Sequence, residues 1–135
     1  MSLGNFALQS RIYSTLNGDS NLTSTLGAGV FDEVPQNQAY PFVKIGEFSS
    51  VDYGTKDVDG NEATVQIDIY SRYRGSKQVH DIMDRIHTLL HNASLTVSGY
   101  NLINIRFEFS DIVRDADGIT RQGVMRFRAA ILGTS

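Results

Sequence analysis

Four side chains able to titrate or bind metal fall at helical spacing. His80, Asp84, His87 and His91 stand at i, i+4, i+7 and i+11, one stripe of a helix roughly 130° from its apolar side. Neighbouring pairs on such a stripe can converge on a divalent ion, because imidazole and carboxylate at i, i+4 reach one point. No HExxH pattern accompanies them, and a straight helix does not bring three of its own residues into a tetrahedral shell. A solvated face is therefore the expectation, with a metallohydrolase built on the stripe as the competing reading. Asp57-Val58-Asp59-Gly60-Asn61-Glu62 opens like a calcium loop but lacks the third acidic step before the glycine and the distant bidentate glutamate. It reads as a turn, and Asp115-Ala116-Asp117-Gly118 repeats that wording between two strand patterns. There is no GxSxG elbow and no phosphate-cradling glycine loop, and with no cysteine there is no thiolate nucleophile. No enzyme, metal or cofactor is expected.

The remaining charge sits in two groups. Arg72, Arg74 and Lys77 surround Tyr70 and Tyr73, a basic corner fit for a phosphate or carboxylate partner, or simply long side chains snorkelling at a turn. Asp68, Arg106, Glu108, Arg126 and Arg128, with Gln66, alternate with apolar residues on three strand patterns, so they share the face opposite those apolar residues. That face is either solvated, with Glu108 paired to Arg126 or Arg128 across strands, or a subunit interface in which fixed charges choose the partner and its orientation.

The elements that must hold these groups centre on residues 63–92. In ATVQIDIY the residues Val65, Ile67 and Ile69 point to one side of a strand. After the short SRYRG link, Val79, Ile82, Met83, Ile86, Leu89 and Leu90 make one broad helical stripe that can lie across that side. Upstream, Leu8, Ile12 and Leu16 predict a first helix over about residues 3–16, stopped by Asn17-Gly18. Asp19 or Ser20 then caps a one-turn helix bearing Leu22 and Leu26. Strands are predicted over 30–34 and 42–48, separated by PQNQAYP, whose prolines remove amide donors. Residues 49–61 lack periodicity and read as a long loop, either functional or disordered. Downstream, Ile103, Ile105, Phe107 and Phe109 alternate against Leu102, Asn104, Arg106 and Glu108. Met125, Phe127, Ala129 and Ile131 alternate likewise, giving a long antiparallel hairpin. The fold class is α+β: a mostly antiparallel sheet of four or five strands with the long helix and the N-terminal helix on one face.

At 135 residues the chain is read as a single domain over 1–135, able to bury about two thirds of its unfolded surface. A net charge of -3 and a pI near 5.5 argue against a domain whose main task is gripping nucleic acid, and no sequence-specific nucleic-acid partner is expected. No run of residues reaches the roughly 18 apolar positions of a membrane span. The N-terminus lacks a basic region followed by an apolar core, so a cytoplasmic origin is expected.

Four strings in order carry a resemblance: LNGDSNLTSTLG after the first helix, VFDEVPQNQAYPFVKIGE, IDIYSRYRGSKQVHDIMDRIHTLLH, and DADGITRQGVMRFRA. Together they span nearly the whole chain, which resembles the tail-completion or tail-terminator family of long-tailed bacteriophages and prophages. The resemblance implies a structural virion protein of the tail, assembled in the bacterial host cytoplasm. It implies a hexameric ring that stops growth of the tail-tube protein and presents a surface to the head-tail connector. On that view Asp68, Arg72, Arg74, Lys77, Arg106, Glu108, Arg126 and Arg128 are candidates for subunit and tube contacts. The residue 51–61 loop, with Asp52, Tyr53, Lys56, Asp57 and Asp59, is a candidate lumen or docking element whose negative charge would keep passing DNA from sticking. The alternative is a dimeric ferredoxin-like module binding a ligand or a regulatory partner.

Overall fold

A computed structural model describes residues 5–52, 60–97, 99–114, 116 and 118–133. Helix α1 (Asn5–Asn17) is followed by a π-helical turn (Asn21–Thr25), strands β1 (Gly29–Phe31), β2 (Phe42–Asp52) and β3 (Gly60–Ser71), helix α2 (Lys77–Leu90), and strands β4 (Tyr100–Arg114) and β5 (Arg121–Gly133). The strands form one sheet in the order β1-β2-β3-β5-β4. Every neighbouring pair is antiparallel except β1 with β2. Because β5 runs against both β3 and β4, those two are parallel to each other, and α2 is the crossover that joins them.

The alternation seen in the sequence becomes a single core. Val65, Ile67 and Ile69 of β3 are fully buried, as are Phe127, Ala129 and Ile131 of β5. The α2 stripe of Val79, Ile82, Ile86 and Leu90 closes over them. Leu8, Ile12 and Leu16 bring α1 onto the β1–β2 half of the same face. Gly123 marks where α2 lies closest to the sheet, since a Cβ there would stand 2.9 Å from Met83 Sδ and 3.1 Å from Val79 Cγ1.

Three expectations are corrected. The first strand covers Gly29–Phe31 rather than 30–34, because Asp32 and Glu33 turn away before the prolines. Residues 49–52 and 60–61, read as loop, are paired strand: Ser49 faces Thr64, and Asp52 faces Asn61. Here polar Ser50 pairs with core-facing Ala63 and Asn61 is itself buried, whereas apolar Val51 is exposed, so no hydrophobic period marked the pairing. In β4 the alternation breaks at two bulges, between Leu102 and Asn104 and between Phe107 and Phe109. Each inserts one residue and swaps the faces. Ile105 and Phe107 point inward, but Ile103 and Phe109 are 49 % and 42 % exposed, while Leu102 and Ile112 pack on the core instead.

Candidate assembly surfaces

The sheet face opposite the helices carries the charged residues that its strands predict. Arg128 on β5 stands across from Arg106 on β4, a like-charge pairing that would be unfavourable alone. It is offset by Glu108, whose Oε1 accepts Arg128 Nη2 at 2.7 Å, and by Glu62 at 3.7 Å. The expected cross-strand pair is therefore Glu108 with Arg128. Arg126 instead lays its guanidinium over the Phe109 ring, 5.1 Å from the centroid, a contact created by the bulge that turns Phe109 outward. Arg106 is exposed and forms no ion pair with a described residue.

Asp68 belongs to this face by register, opposite Lys44 and Val124, yet only 7 % of it is exposed. Its Oδ1 accepts Gln66 Nε2 at 3.1 Å and Gln122 Nε2 at 3.4 Å. The carboxylate is thus a bracing group in the wall, and little of it is open to a partner.

The basic corner lies at one end of the sheet and divides in its roles. Arg72 donates from Nε to Thr120 Oγ1 at 3.0 Å and lies 4.4 Å over the Tyr40 ring. Tyr40 in turn adjoins Phe42, which stacks on Tyr70 at 5.0 Å. Lys77 is held to Asp81 at 2.9 Å within α2, and that hydrogen bond raises its pKa. Arg74 and Tyr73 are exposed. Of the loop candidates, Tyr53, Lys56, Asp57 and Asp59 lie outside the described residues; Asp52 ends β2, with its side chain outside them as well.

The histidine stripe is the expected solvated face only in its first half: His80 and Asp84 are exposed, while His87 and His91 are half-buried. His87 and His91 stack at 4.7 Å, and His87 meets Phe107 edge-on at 5.1 Å. His91 Nδ1 accepts the Phe107 backbone N–H at 3.0 Å, and the Asn92 N–H donates to the Ile105 carbonyl at 2.8 Å. The C-terminal end of α2 thereby covers part of the free edge of β4. Among the described residues no group of three or more His, Asp or Glu side chains comes together to hold a metal. Further along the stripe, His80, Asp84 and His87 border a groove of about 570 Å³ between α2 and β4, floored by Met83, Phe107, Ile112 and Met125. The groove was not legible in the sequence, because its floor depends on the second bulge bringing Ile112 inward.

Comparison with known proteins adds the following. The family model described as tail completion protein gp17 matches residues 10–132. The tail completion protein gp17 of Bacillus phage SPP1 is 25 % identical over 96 residues, covering 71 % of each chain. A chain in the virion of a native gene transfer agent particle has the same fold, with a TM-score of 0.88 and 25 % identity over 95 % of this chain and 96 % of that one.

Proposed function

The chain belongs to the tail completion protein gp17 family, a structural part of the phage-type tail, and on that premise we propose that it caps the tail tube. Copies of it close as a ring on the last ring of tube protein, stop further addition, and offer the connector of the filled head a surface to join. The observation that carries this reading is the correspondence of nearly the whole chain with one chain of an assembled phage-like virion. A wall of cross-braced charge on a five-stranded sheet suits it, since fixed charges select a partner and its register at small entropic cost. The basic corner and the arginines of β4 and β5 are the contacts assigned to neighbouring copies and to the tube. The segment between β2 and β3 is assigned to the lumen or the connector.

Supplying the chain to phage that lack their own copy tests this reading. Filled heads joined to tails, and a restored infectious titre, are expected. Heads and tails that join equally well without it would remove the head-joining role.

A further inference from the structure

The sheet ends in two edges whose backbone is open over part of its length. On one side β1 pairs with β2 only from Phe42 to Lys44, so no described strand pairs with the outer side of residues 48–52. On the other side the end of α2 takes the Ile105 carbonyl and the Phe107 N–H of β4. Past that point β4 runs on to Arg114 with no described strand beyond it. There the Ile112 N–H points away from β5 and is held by Asp111 Oδ1 of its own strand at 2.9 Å. A side chain laid on the backbone in this way blunts an open edge against indiscriminate pairing.

We infer that the open β4 edge of one copy pairs with the open β2 edge of the next, continuing a single sheet from copy to copy. The inference rests on the ring reading above and supplies its subunit contact. Direction fits, because β2 runs against β3 and β4 runs with it, so the two edges meet antiparallel. The faces fit as well. Ile105 is matched with Ala129, Ala129 with Ala63, and Ala63 with Ser50. Bonded and non-bonded pairs alternate across antiparallel ladders, so Ser50 turns its N–H and C=O outward as Ile105 does. On β4 the bulge after Phe107 passes the outward role to Ser110, Ile112 and Arg114. Ser50 and Ile112 both lie on the helix-covered face, so bonding one to the other keeps the helices of successive copies on one side. That register, residues 110–114 against 52–48, is the longest that enters neither the β4 bulge nor the one in β2. It also makes diagonal neighbours of Val51 and Val113, which are 63 % and 47 % exposed on the open face. Ser50 is level with Ala129, whereas Ile112 stands opposite Gly123, six residues along β5. Each copy is therefore displaced by ~20 Å along the strands over a five-stranded width of ~24 Å. The resulting strand tilt is ~40°, within the roughly 35–45° of closed barrels. Each copy uses one edge on either side, so the contact is head-to-tail and leaves no edge free once the ring closes.

In this register Ser49 and Val113, both exposed, stand directly opposite each other as a non-bonded pair, with Cα atoms ~4.5 Å apart and within disulfide reach. The chain has no cysteine, so Ser49→Cys and Val113→Cys can be introduced separately and together, then oxidised on assembled tails. The double variant is expected to give a ladder of covalent multimers. Each single variant should stay monomeric, and a mixture of the two singles should stop at dimers. Dimers from Val113→Cys alone would show β4 meeting β4 and would overturn the inference. Cross-links to the tube protein would overturn it too, by giving the edge another occupant. An absent ladder in tails that have stopped at normal length would also sink this contact while leaving tube capping intact. Ser50→Pro is an independent check. The N–H it removes faces away from β3, and proline is tolerated on an edge strand, so tail completion should be lost with no change in the Tm of the free chain. Normal completion by that variant would equally overturn the contact.

Discussion

Asp19 shows at the scale of one residue what the sequence could and could not reveal. Its position before Leu22 marked it as a capping candidate beside Ser20, and its Oδ2 does accept the Leu22 N–H at 2.9 Å. Its second role was hidden. Arg85, 66 positions away, grips the same carboxylate with Nε at 2.8 Å and Nη2 at 2.7 Å, tying α2 to the turn after α1. No local period encodes such a pair. The Arg85 hydrogen bond, helped by the Leu22 amide, holds the Asp19 pKa below its ordinary value although burial pulls it upward. Folding lowers this pKa, so the carboxylate's contribution is in place above about pH 4, the unfolded value, and fades as pH falls through the folded one. Asp19→Ala should cost about 0.5–2 kcal/mol through the lost cap alone. The gap between variant and wild type, followed by thermal denaturation, should narrow in acid; a gap unchanged between neutral pH and pH below the carboxylate range would contradict this. In the core, Ile67 and Phe127 are fully buried, so truncating either to Ala should cost about 2–5 kcal/mol in urea denaturation.

At the scale of elements, periodicity succeeded where a strand or helix is uninterrupted and failed where it is not. The β3, β5 and α2 patterns each had one phase from end to end, and each buries the residues its phase assigns, Leu89 of α2 only in part. In β4 the run from Ile103 to Phe109 looked equally regular, yet two bulges make that regularity misleading. Of its four inward-assigned apolar residues, only the two between the bulges, Ile105 and Phe107, face as the alternation implied. A bulge is fixed by the partner strand and by what lies beyond the edge, here His91 and Asn92 at the end of α2; β4 does not announce it. The spacing between layers is set more strictly. Gly123 lets α2 approach β5, and Gly123→Ala should push Met83 and Val79 away at a cost of about 1–3 kcal/mol, read as a drop in Tm. An unchanged Tm would mean that α2 shifts freely.

For the whole molecule, the four strings that suggested the family were legible because their order along the chain follows the order of elements. The surfaces proposed for assembly were not, since each combines residues from distant elements. Arg106, Arg126, Arg72 and Arg74 stand on rigid strand or turn backbone at the sheet's open face and end. Fixed exposed charge of this kind acts on the rate of encounter and is screened as the Debye length shrinks from about 10 Å at 0.1 M salt to about 3 Å at 1 M. Capping of purified tubes should accordingly slow with salt, and Arg106→Glu should slow it at low salt without lowering Tm; a rate indifferent to both would remove these arginines from the contact. The most direct test of the central claim is the length distribution of tails, measured by electron microscopy of particles assembled with and without this chain. With it, tubes should share one length and carry heads. Without it, they should overgrow and stay headless, whereas tubes of normal length joined to filled heads would contradict the account.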